Sequence, residues 1–335
     1  MAKLSHIIVI FMVFVSSIVG AYDVLLGAYY RLAGNNLPPP WEVVQLCKKY
    51  NIRRVRLYEP NLTVLESFRG MGIDVSFGVP NNLIENMATN HTAVEEWFIN
   101  YVAPFIGDFT INYIVVGDKV IPGLDGRILQ VMQSLQGLLN ARNLGQVKLT
   151  TLVSITALSA QSPPSSGAFD PTIAANMRGI LHFLWEQGSP LMVSLYPHKT
   201  YFYSGNMSLG YATFAEENFS IRDGDLSYNN LFDEMMDAFY AAIDKEDVGD
   251  VAIAVGETGW PTCGHLNITT TSIAATYNRN FKNHITSGKG TPMKSNIYIQ
   301  GFIKSIFNEN EEPEGESKCY GMFHVDSTPI YSPVF

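Results

Sequence analysis

Short apolar segments alternate with helical patterns along this 335-residue chain. Of all its sequence features, this alternation most strongly limits the folds that the chain can adopt. Each segment is rich in β-branched or aromatic residues, and several are continuously apolar, as strands buried on both faces should be. The predicted strands cover residues 24–29, 54–58, 74–79, 113–116, 148–155, 191–195, 251–255 and 299–307. Strands that alternate with helices in this way favour a parallel sheet.

Apolar residues at helical spacing fill the intervals between the strands. Val43, Leu46 and Cys47 recur on one face after three consecutive prolines. A second apolar face runs through residues 231–243, and the Asn230 side chain is suited to cap the start of that helix.

Eight strand–helix units in a chain of this length predict a single-domain α/β fold, the (β/α)8 TIM barrel, over residues 22–335. The alternative is an open doubly wound sheet. Its nucleotide-binding form is disfavoured because no glycine-rich phosphate loop follows the first strand. In a barrel the chemistry lies at the carboxyl ends of the strands, so the residues there are the candidates for a site.

The N-terminus has the pattern of a secretory signal over residues 1–21. Lys3 supplies a positive charge, residues 7–15 are almost all apolar, and Val19 and Ala21 are small residues suited to cleavage after position 21. A membrane anchor is the alternative, but the apolar run is shorter than the ~20 residues that span a bilayer. We therefore expect secretion to the extracellular space or cell wall, with the vacuole as the other destination.

Candidate glycosylation sites also agree with a secreted chain. Five Asn-x-Ser/Thr tripeptides are candidate glycosylation sites, at Asn61, Asn90, Asn206, Asn218 and Asn267.

Three cysteines leave at least one thiol unpaired. Cys263 and Cys319 follow the two last predicted strands and are candidates for a disulfide. Cys47 lies on the apolar face of a predicted helix, which favours a buried free thiol.

The formal net charge of −9 disfavours nucleic acid and anionic membranes as partners, since both select basic surfaces. It is compatible with a neutral ligand. His198, His265 and His284 stand alone in the sequence and are interpreted as rim or surface residues, not metal ligands. We therefore expect a monomer that needs no metal and no cofactor.

The seventh predicted strand leads into Glu257, and Trp260 follows three residues later. A carboxylate at a barrel strand end can attack or stabilise an anomeric carbon, and an indole offers a flat apolar face to a sugar ring. The alternative is a surface glutamate beside a core tryptophan. Tyrosine, asparagine and proline at other strand ends suit a neutral polyol, although each also suits a turn.

From about residue 24 to residue 335 the chain resembles the plant β-1,3-glucan endohydrolases of glycoside hydrolase family 17. The matching motifs are GNNLP (34–38), RVRLY (54–58), FGVPN (77–81), NLFD (230–233), GETGWP (256–261) and FNEN (307–310), in the family's order and spacing.

The resemblance implies a TIM barrel that cleaves β-1,3-glucan with retention, by means of two carboxyl groups. It places Glu257 at the nucleophile. It also implies substrate-binding positions along the glucan groove, namely Tyr30, Asp118, Tyr196, Trp260 and Glu309.

One departure from the family pattern lies at the position of the general acid. Lys119 stands where the family has its proton-donating glutamate, and Asp118 where it has asparagine. Near the eighth strand Glu312 replaces a lysine within a shortened segment, and Arg31 replaces a glycine after the first strand.

Lys119 is unfavourable for hydrolysis. Retaining cleavage needs one ionised and one protonated carboxyl group ~5–5.5 Å apart, and an ammonium with an ordinary pKa near ~10.4 is a poor proton donor at neutral pH. We expect Lys119 to pair with Glu257 and hydrolysis to be weak or absent.

Three arrangements would rescue cleavage: a Lys119 whose pKa burial brings close to neutral, Asp118 acting as the acid, or Glu309 or Glu312 reaching across the groove. The sequence leaves open an impaired hydrolase and a non-hydrolytic β-1,3-glucan-binding protein. A barrel with no carbohydrate role is a third possibility.

Overall fold

Eight parallel strands close into a barrel in the computed structural model, which describes residues 25–218 and 221–335. The strands are β1 (Leu26–Tyr30), β2 (Arg54–Leu57), β3 (Asp74–Val79), β4 (Ile111–Asp118), β5 (Lys148–Ser154), β6 (Leu191–Ser194), β7 (Ile253–Thr258) and β8 (Gly301–Lys304). Each strand pairs with its neighbours in sequence, and β8 pairs with β1 to close the barrel. Closure confirms the predicted TIM barrel and excludes the open sheet. The predicted signal, residues 1–21, lies outside the described residues.

All eight predicted strands are present, but β4 and β7 extend farther toward their carboxyl ends than predicted. The pairing register shifts between Val115 and Asp118 on β4, and between Val255 and Glu257 on β7. A glycine lies at each shift and interrupts the apolar pattern on which the predictions depended. As a result Asp118 and Glu257 lie within strands, at irregular points that redirect their side chains.

Helices follow the strands and surround the barrel. They are α1 (Pro40–Lys49), α2 (Leu62–Phe68), α3 (Ile84–Thr89), α4 (His91–Tyr101), α5 (Asp125–Asn140), α6 (Ala174–Gln187), α7 (Pro197–Ser204), α8 (Leu209–Ala212), α9 (Leu231–Lys245) and α10 (Thr271–Thr286). Single 3₁₀ turns occur at Asn81–Leu83, Ala103–Phe105, Ile155–Ala157, Pro164–Ser166 and Glu316–Lys318. The loops contain two short antiparallel strand pairs: Leu158–Ala160 with Ala168–Phe169, and Ile221–Asp223 with Leu226–Tyr228.

Both helices predicted from their apolar faces are confirmed. Val43, Leu46 and Cys47 of α1 are buried, and proline opens the helix where its missing N–H costs nothing. The Asn230 side-chain oxygen accepts a hydrogen bond from the Asp233 N–H over 2.8 Å, which caps α9.

The apolar core has two parts. The larger part lies between the barrel and the helices and includes most of the buried aliphatic side chains. The smaller part fills the inside of the barrel with Tyr29, Tyr113, Val115, Leu152, Met192, Ala254 and Phe302. The barrel interior is therefore packed, and a site has room only above this plug, at the carboxyl ends of the strands.

Cys263 and Cys319 form a disulfide with a Cα–Cα distance of 5.6 Å, whereas Cys47 is a buried free thiol. Both outcomes agree with the sequence interpretation. The bond joins the loop after β7 to the segment after β8. It thereby ties together two loops at the carboxyl end of the barrel.

Within residues 25–218 and 221–335, no helix is long and apolar enough to cross a bilayer. The asparagine side chains of all five glycosylation tripeptides lie on exposed residues. Their modification stays a prediction.

Gly117 allows the irregular end of β4. Its φ of +87° lies in a region that L side chains rarely adopt, and a Cβ there would lie 2.5 Å from Ile128 Cδ1. We expect Gly117→Ala to lower the free energy of unfolding by roughly 1–3 kcal/mol, measured by urea unfolding.

Gly137 is the matched control, because it lies on the exposed side of α5 with open space around it. Gly137→Ala should be neutral or stabilising by up to about 1 kcal/mol. Equal effects of the two substitutions would contradict this account of β4.

Candidate active site

A cleft of ≈ 380 Å³ opens above the barrel plug, at the carboxyl ends of the strands. Its charged and aromatic lining residues are Arg31, Lys119, Tyr196, Lys199, Lys304, Glu312 and Tyr320. Its location agrees with the position of active sites in TIM barrels. A smaller cavity of ≈ 310 Å³ at the opposite ends of β4 and β5 has mainly apolar walls.

Glu257 lies under the floor of the cleft with 0 % of its surface exposed. Gly256 precedes it at the irregular point of β7, where a Cβ would lie 2.6 Å from Met192 Cγ. The Ser194 hydroxyl donates a hydrogen bond of 2.9 Å to Glu257 Oε1. The other carboxylate oxygen, Oε2, accepts no hydrogen bond from any described residue.

The Lys119 ammonium covers this carboxylate. Its Nζ donates a hydrogen bond to Glu257 Oε1 and lies 3.5 Å from Asp118 Oδ1. Lys119 adopts a left-handed φ of +56° directly after β4, and its N–H donates to Leu152 O over 2.9 Å. This turn brings a side chain that follows β4 over the carboxylate of β7.

Asp118 points away from the cleft lining and is ion-paired below it. Its Oδ2 lies 2.5 Å from the Arg56 guanidinium, which also donates to Gly256 O over 3.3 Å. The Asn81 side chain bonds both the N–H and the C=O of Asp118, over 2.9 and 3.0 Å. Asp118 is thus held at both its backbone and its side chain.

The positive charges around Glu257 affect the pKa of its carboxyl more than burial does. Burial raises the pKa of the Glu257 carboxyl, but Lys119, Lys304 and Arg56 together hold that pKa well below its usual range. Burial lowers the pKa of the Lys119 ammonium, but Glu257 and Asp118 raise it above its ordinary value overall. This direction is opposite to the one that a lysine acting as general acid would need.

Lys304 is a second ammonium in the cleft that sequence reasoning missed. It ends β8, is only 5 % exposed, and its Nζ lies 5.0 Å from the centre of the Tyr320 ring. Burial lowers its pKa, and the negative charge of Glu257 opposes that effect. The signal was present in the sequence, since Lys304 is the only charged residue in the predicted strand 299–307.

Glu309 and Tyr30 lie behind the cleft wall. Glu309 is 3 % exposed and accepts a hydrogen bond from the Ala33 N–H over 3.3 Å. Tyr30 is also buried, with its ring centre 6.0 Å from that of Phe307. Neither residue is in the cleft lining, although both were predicted to bind substrate.

Trp260 belongs to the core as well, contrary to the prediction that it would stack on a sugar. Its indole is fully buried, and its Nε1–H donates to Ile268 O over 2.8 Å. Its face is occupied by neighbouring rings, such as that of Tyr277 at 5.6 Å between centres. Of the three aromatic residues predicted for the groove, the structure places Tyr196 in the cleft lining.

Arg31 and Glu312 form one wall of the cleft as a pair, with 2.7 Å between the guanidinium and the carboxylate. These are two of the departures from the family pattern, and the structure brings them together. Among the described lining residues Glu312 is the only carboxylic acid, and its carboxylate is paired with Arg31.

The histidines do not form a metal site among the residues that the structure describes. His198 is buried, not at the rim as predicted, because its Nε2 lies 3.0 Å from the Tyr320 hydroxyl and 3.5 Å from Glu316. His265 lies 3.7 Å from the same Glu316, and His284 pairs with Asp233 at 2.9 Å.

Comparison with known proteins identifies the family of this chain. The model of the glycosyl hydrolases family 17 matches residues 26–335. The chain belongs to glycosyl hydrolases family 17. The resemblance seen in the motifs is thereby confirmed, and the strand ends described above are those of a glycosyl hydrolase barrel.

Relatives in this family are named as enzymes that cleave glucans. A probable glucan endo-1,3-beta-glucosidase of Arabidopsis thaliana is 41 % identical over 90 % of this chain and 86 % of its own length. Lichenase-2 of Hordeum vulgare is 35 % identical over 91 % and 97 %.

Solved structures agree with the fold in detail. A plant beta-glucan endohydrolase superposes with a TM-score of 0.88 at 35 % identity, covering 92 % of this chain and 100 % of that one. CJP38, a beta-1,3-glucanase and allergen of Cryptomeria japonica pollen, also gives 0.88, at 34 % identity over 93 % and 99 %.

The burial of Glu309 predicts a specific pH dependence of stability. Burial raises the pKa of its carboxyl from 4.5 to about 7, despite the opposing charge of Lys304. The folded state therefore holds this proton more tightly than the unfolded state, and the free energy of unfolding should fall as pH rises through this range.

We expect Glu309→Gln, which keeps the acceptor for Ala33, to abolish this fall. At about pH 8 the variant should exceed the original in unfolding free energy by on the order of 2–3 kcal/mol, and at about pH 4 the two should be equal. Urea unfolding across this range measures the difference. Glu311→Gln, at an exposed neighbouring site, is the control and should change nothing. A pH-independent effect of Glu309→Gln would refute the assignment.

Proposed function

We propose that this family 17 protein binds β-1,3-glucan in the cleft and cleaves it weakly or not at all. The observation that carries the proposal is the ion pair between Lys119 and Glu257 beneath the cleft. The proposal rests on two consequences of this pair, one for the nucleophile and one for the acid.

The nucleophile is inaccessible in this arrangement. With 0 % of Glu257 exposed, an anomeric carbon reaches the carboxylate only if the Lys119 ammonium moves away. Moving it would break a charge-assisted hydrogen bond inside a buried site, where such bonds are strong. The low pKa of Glu257 also makes the carboxylate a weaker nucleophile.

The acid is missing as well. Retaining cleavage needs a protonated carboxyl group ~5–5.5 Å from the nucleophile, first to protonate the leaving oxygen and then to deprotonate water. Lys119 occupies that place with a raised pKa, while Asp118 and Glu312 are paired with arginines. Loss of general acid–base assistance typically costs ~10²–10⁴-fold in rate.

A weak hydrolase is the second candidate, and the retained Glu257 with its Ser194 hydrogen bond favours it. The two candidates differ only in whether a slow turnover remains. Both keep a β-1,3-glucan in the cleft, with Tyr196 as the aromatic contact. We also propose secretion to the extracellular space or wall, with the vacuole as the alternative.

Restoring an acid tests the proposal directly. We expect Asp118→Asn combined with Lys119→Glu to raise release of reducing ends from a soluble β-1,3-glucan by at least about tenfold, because general acid catalysis returns. The double change lowers the local formal charge by one, and Arg56 and Lys304 then face two carboxyl groups.

The matched control is Asp118→Asn with Lys119→Gln, which uncovers Glu257 but supplies no proton. It should stay near background, and Glu257→Gln added to the first pair should abolish any gain. If the restored protein is as inactive as the control, more of the site has changed than these two positions.

Binding is tested by titration calorimetry with β-1,3-linked glucose oligomers. We expect the original chain to bind and Tyr196→Ala to weaken binding about tenfold or more, since an aromatic contact in the cleft is lost. Tyr203→Ala is the control, because Tyr203 is 83 % exposed and lies outside the cleft lining. Absence of heat at millimolar oligomer would overturn the proposed function.

A further inference from the structure

We propose that the cleft contains an anion subsite at Lys304, and that it prefers a β-1,3-linked saccharide bearing a carboxylate over the neutral glucan. This inference deepens the proposed function and rests on the same cleft. It concerns the chemical class of the saccharide, not whether the chain is cut.

Lys304 makes no ion pair within 4.0 Å and no hydrogen bond with any residue that the structure describes. Its ammonium lies against the Tyr320 ring, and the carboxylates of Glu257 and Glu312 act on it only at longer range. It is only 5 % exposed, yet it belongs to the cleft lining. A buried ammonium without a counter-ion is costly, and an anion entering the cleft would remove that cost.

The other cations of the site are already neutralised. Lys119 is paired with Glu257, Arg31 with Glu312, and Arg56 with Asp118. Glu257 lies close enough to influence Lys304, but its bonded oxygen is shared by Lys119 and Ser194. Lys304 is therefore the cation whose charge is left for a ligand.

The rest of the cleft does not oppose a negative ligand. Lys199 adds a half-exposed ammonium at the rim, 5.2 Å from the centre of the Tyr196 ring and paired with Glu316 at 3.6 Å. Four lining residues are cationic and one is anionic, in a chain whose net charge is −9. This local reversal of sign favours anions within an otherwise acidic protein.

A carboxylate on a sugar fits this environment better than a free ion does. The rings of Tyr196 and Tyr320 lie in the lining and offer apolar surface to a pyranose, while Lys304 adjoins the Tyr320 ring. A hexuronate combines both features, since its ring is apolar on one face and its C6 carboxylate accepts charge-assisted hydrogen bonds.

The test compares two ligands by titration calorimetry: a β-1,3-linked glucose oligomer and the same oligomer oxidised to carboxylate at C6. We expect the oxidised oligomer to bind the original chain at least about tenfold more tightly, and the difference to shrink at high salt. Lys304→Met should abolish the preference, and Lys304→Arg should keep it. Lys289→Met removes an exposed lysine outside the cleft lining and should change nothing.

Each outcome separates this inference from the proposed function. Equal binding of the two oligomers overturns the anion subsite and leaves glucan binding standing. Binding of the oxidised oligomer alone supports the subsite and overturns neutral glucan as the ligand, whereas no binding of either overturns both. A preference that survives Lys304→Met overturns the assignment to Lys304, and the comparison on the original chain does not depend on how the variants fold.

Discussion

The hydrogen-bonded ion pair of Lys119 and Glu257 is the interaction on which the site depends. It places an ammonium over the carboxylate that we propose as the nucleophile. Because Glu257 is buried, each partner strengthens the charged form of the other, and the pKa values move apart: that of the acid falls and that of the base rises. In such a site both groups stay ionised, whereas retaining catalysis requires one group to donate and then accept a proton.

The barrel supports this pair from below. Irregular points on β4 and β7 lie beside Asp118 and Glu257, and Arg56 links the two strands through the Asp118 carboxylate and the Gly256 carbonyl. The ring of Tyr29, which belongs to the apolar plug, packs against that guanidinium at 4.6 Å. Lys119 therefore belongs to a charge network whose other members are largely buried, and Lys304 adds a positive charge that has no ion pair among the residues that the structure describes.

Much of this could be predicted from the sequence, for physical reasons that are local. Continuous apolar strands, amphipathic helices such as α9 and the capping Asn230 are each specified within a few residues. The pairing of Lys119 with Glu257 was predicted by resemblance, because the family pattern places these two positions opposite each other in the site. Tyr30 and Trp260 were assigned to the groove by resemblance, and the structure buries both, since their rings pack against Phe307 and Tyr277. Lys304 is the one charged residue of the predicted strand 299–307, but the sequence does not show that its side chain lies in the cleft.

The sequence by itself determined the barrel, the buried free thiol and the membership of a glycosyl hydrolase family, and it led us to propose a lysine at the place of the acid. Tertiary structure alone decided that Glu257 is fully covered, that Asp118 pairs with Arg56, that Arg31 pairs with Glu312, and that Lys304 has no ion pair among the described residues. The reason is that strand and helix patterns are encoded by neighbours along the chain. Which charge is paired and which is left over depends on distances between side chains from different strands, and those distances exist only once the barrel has closed.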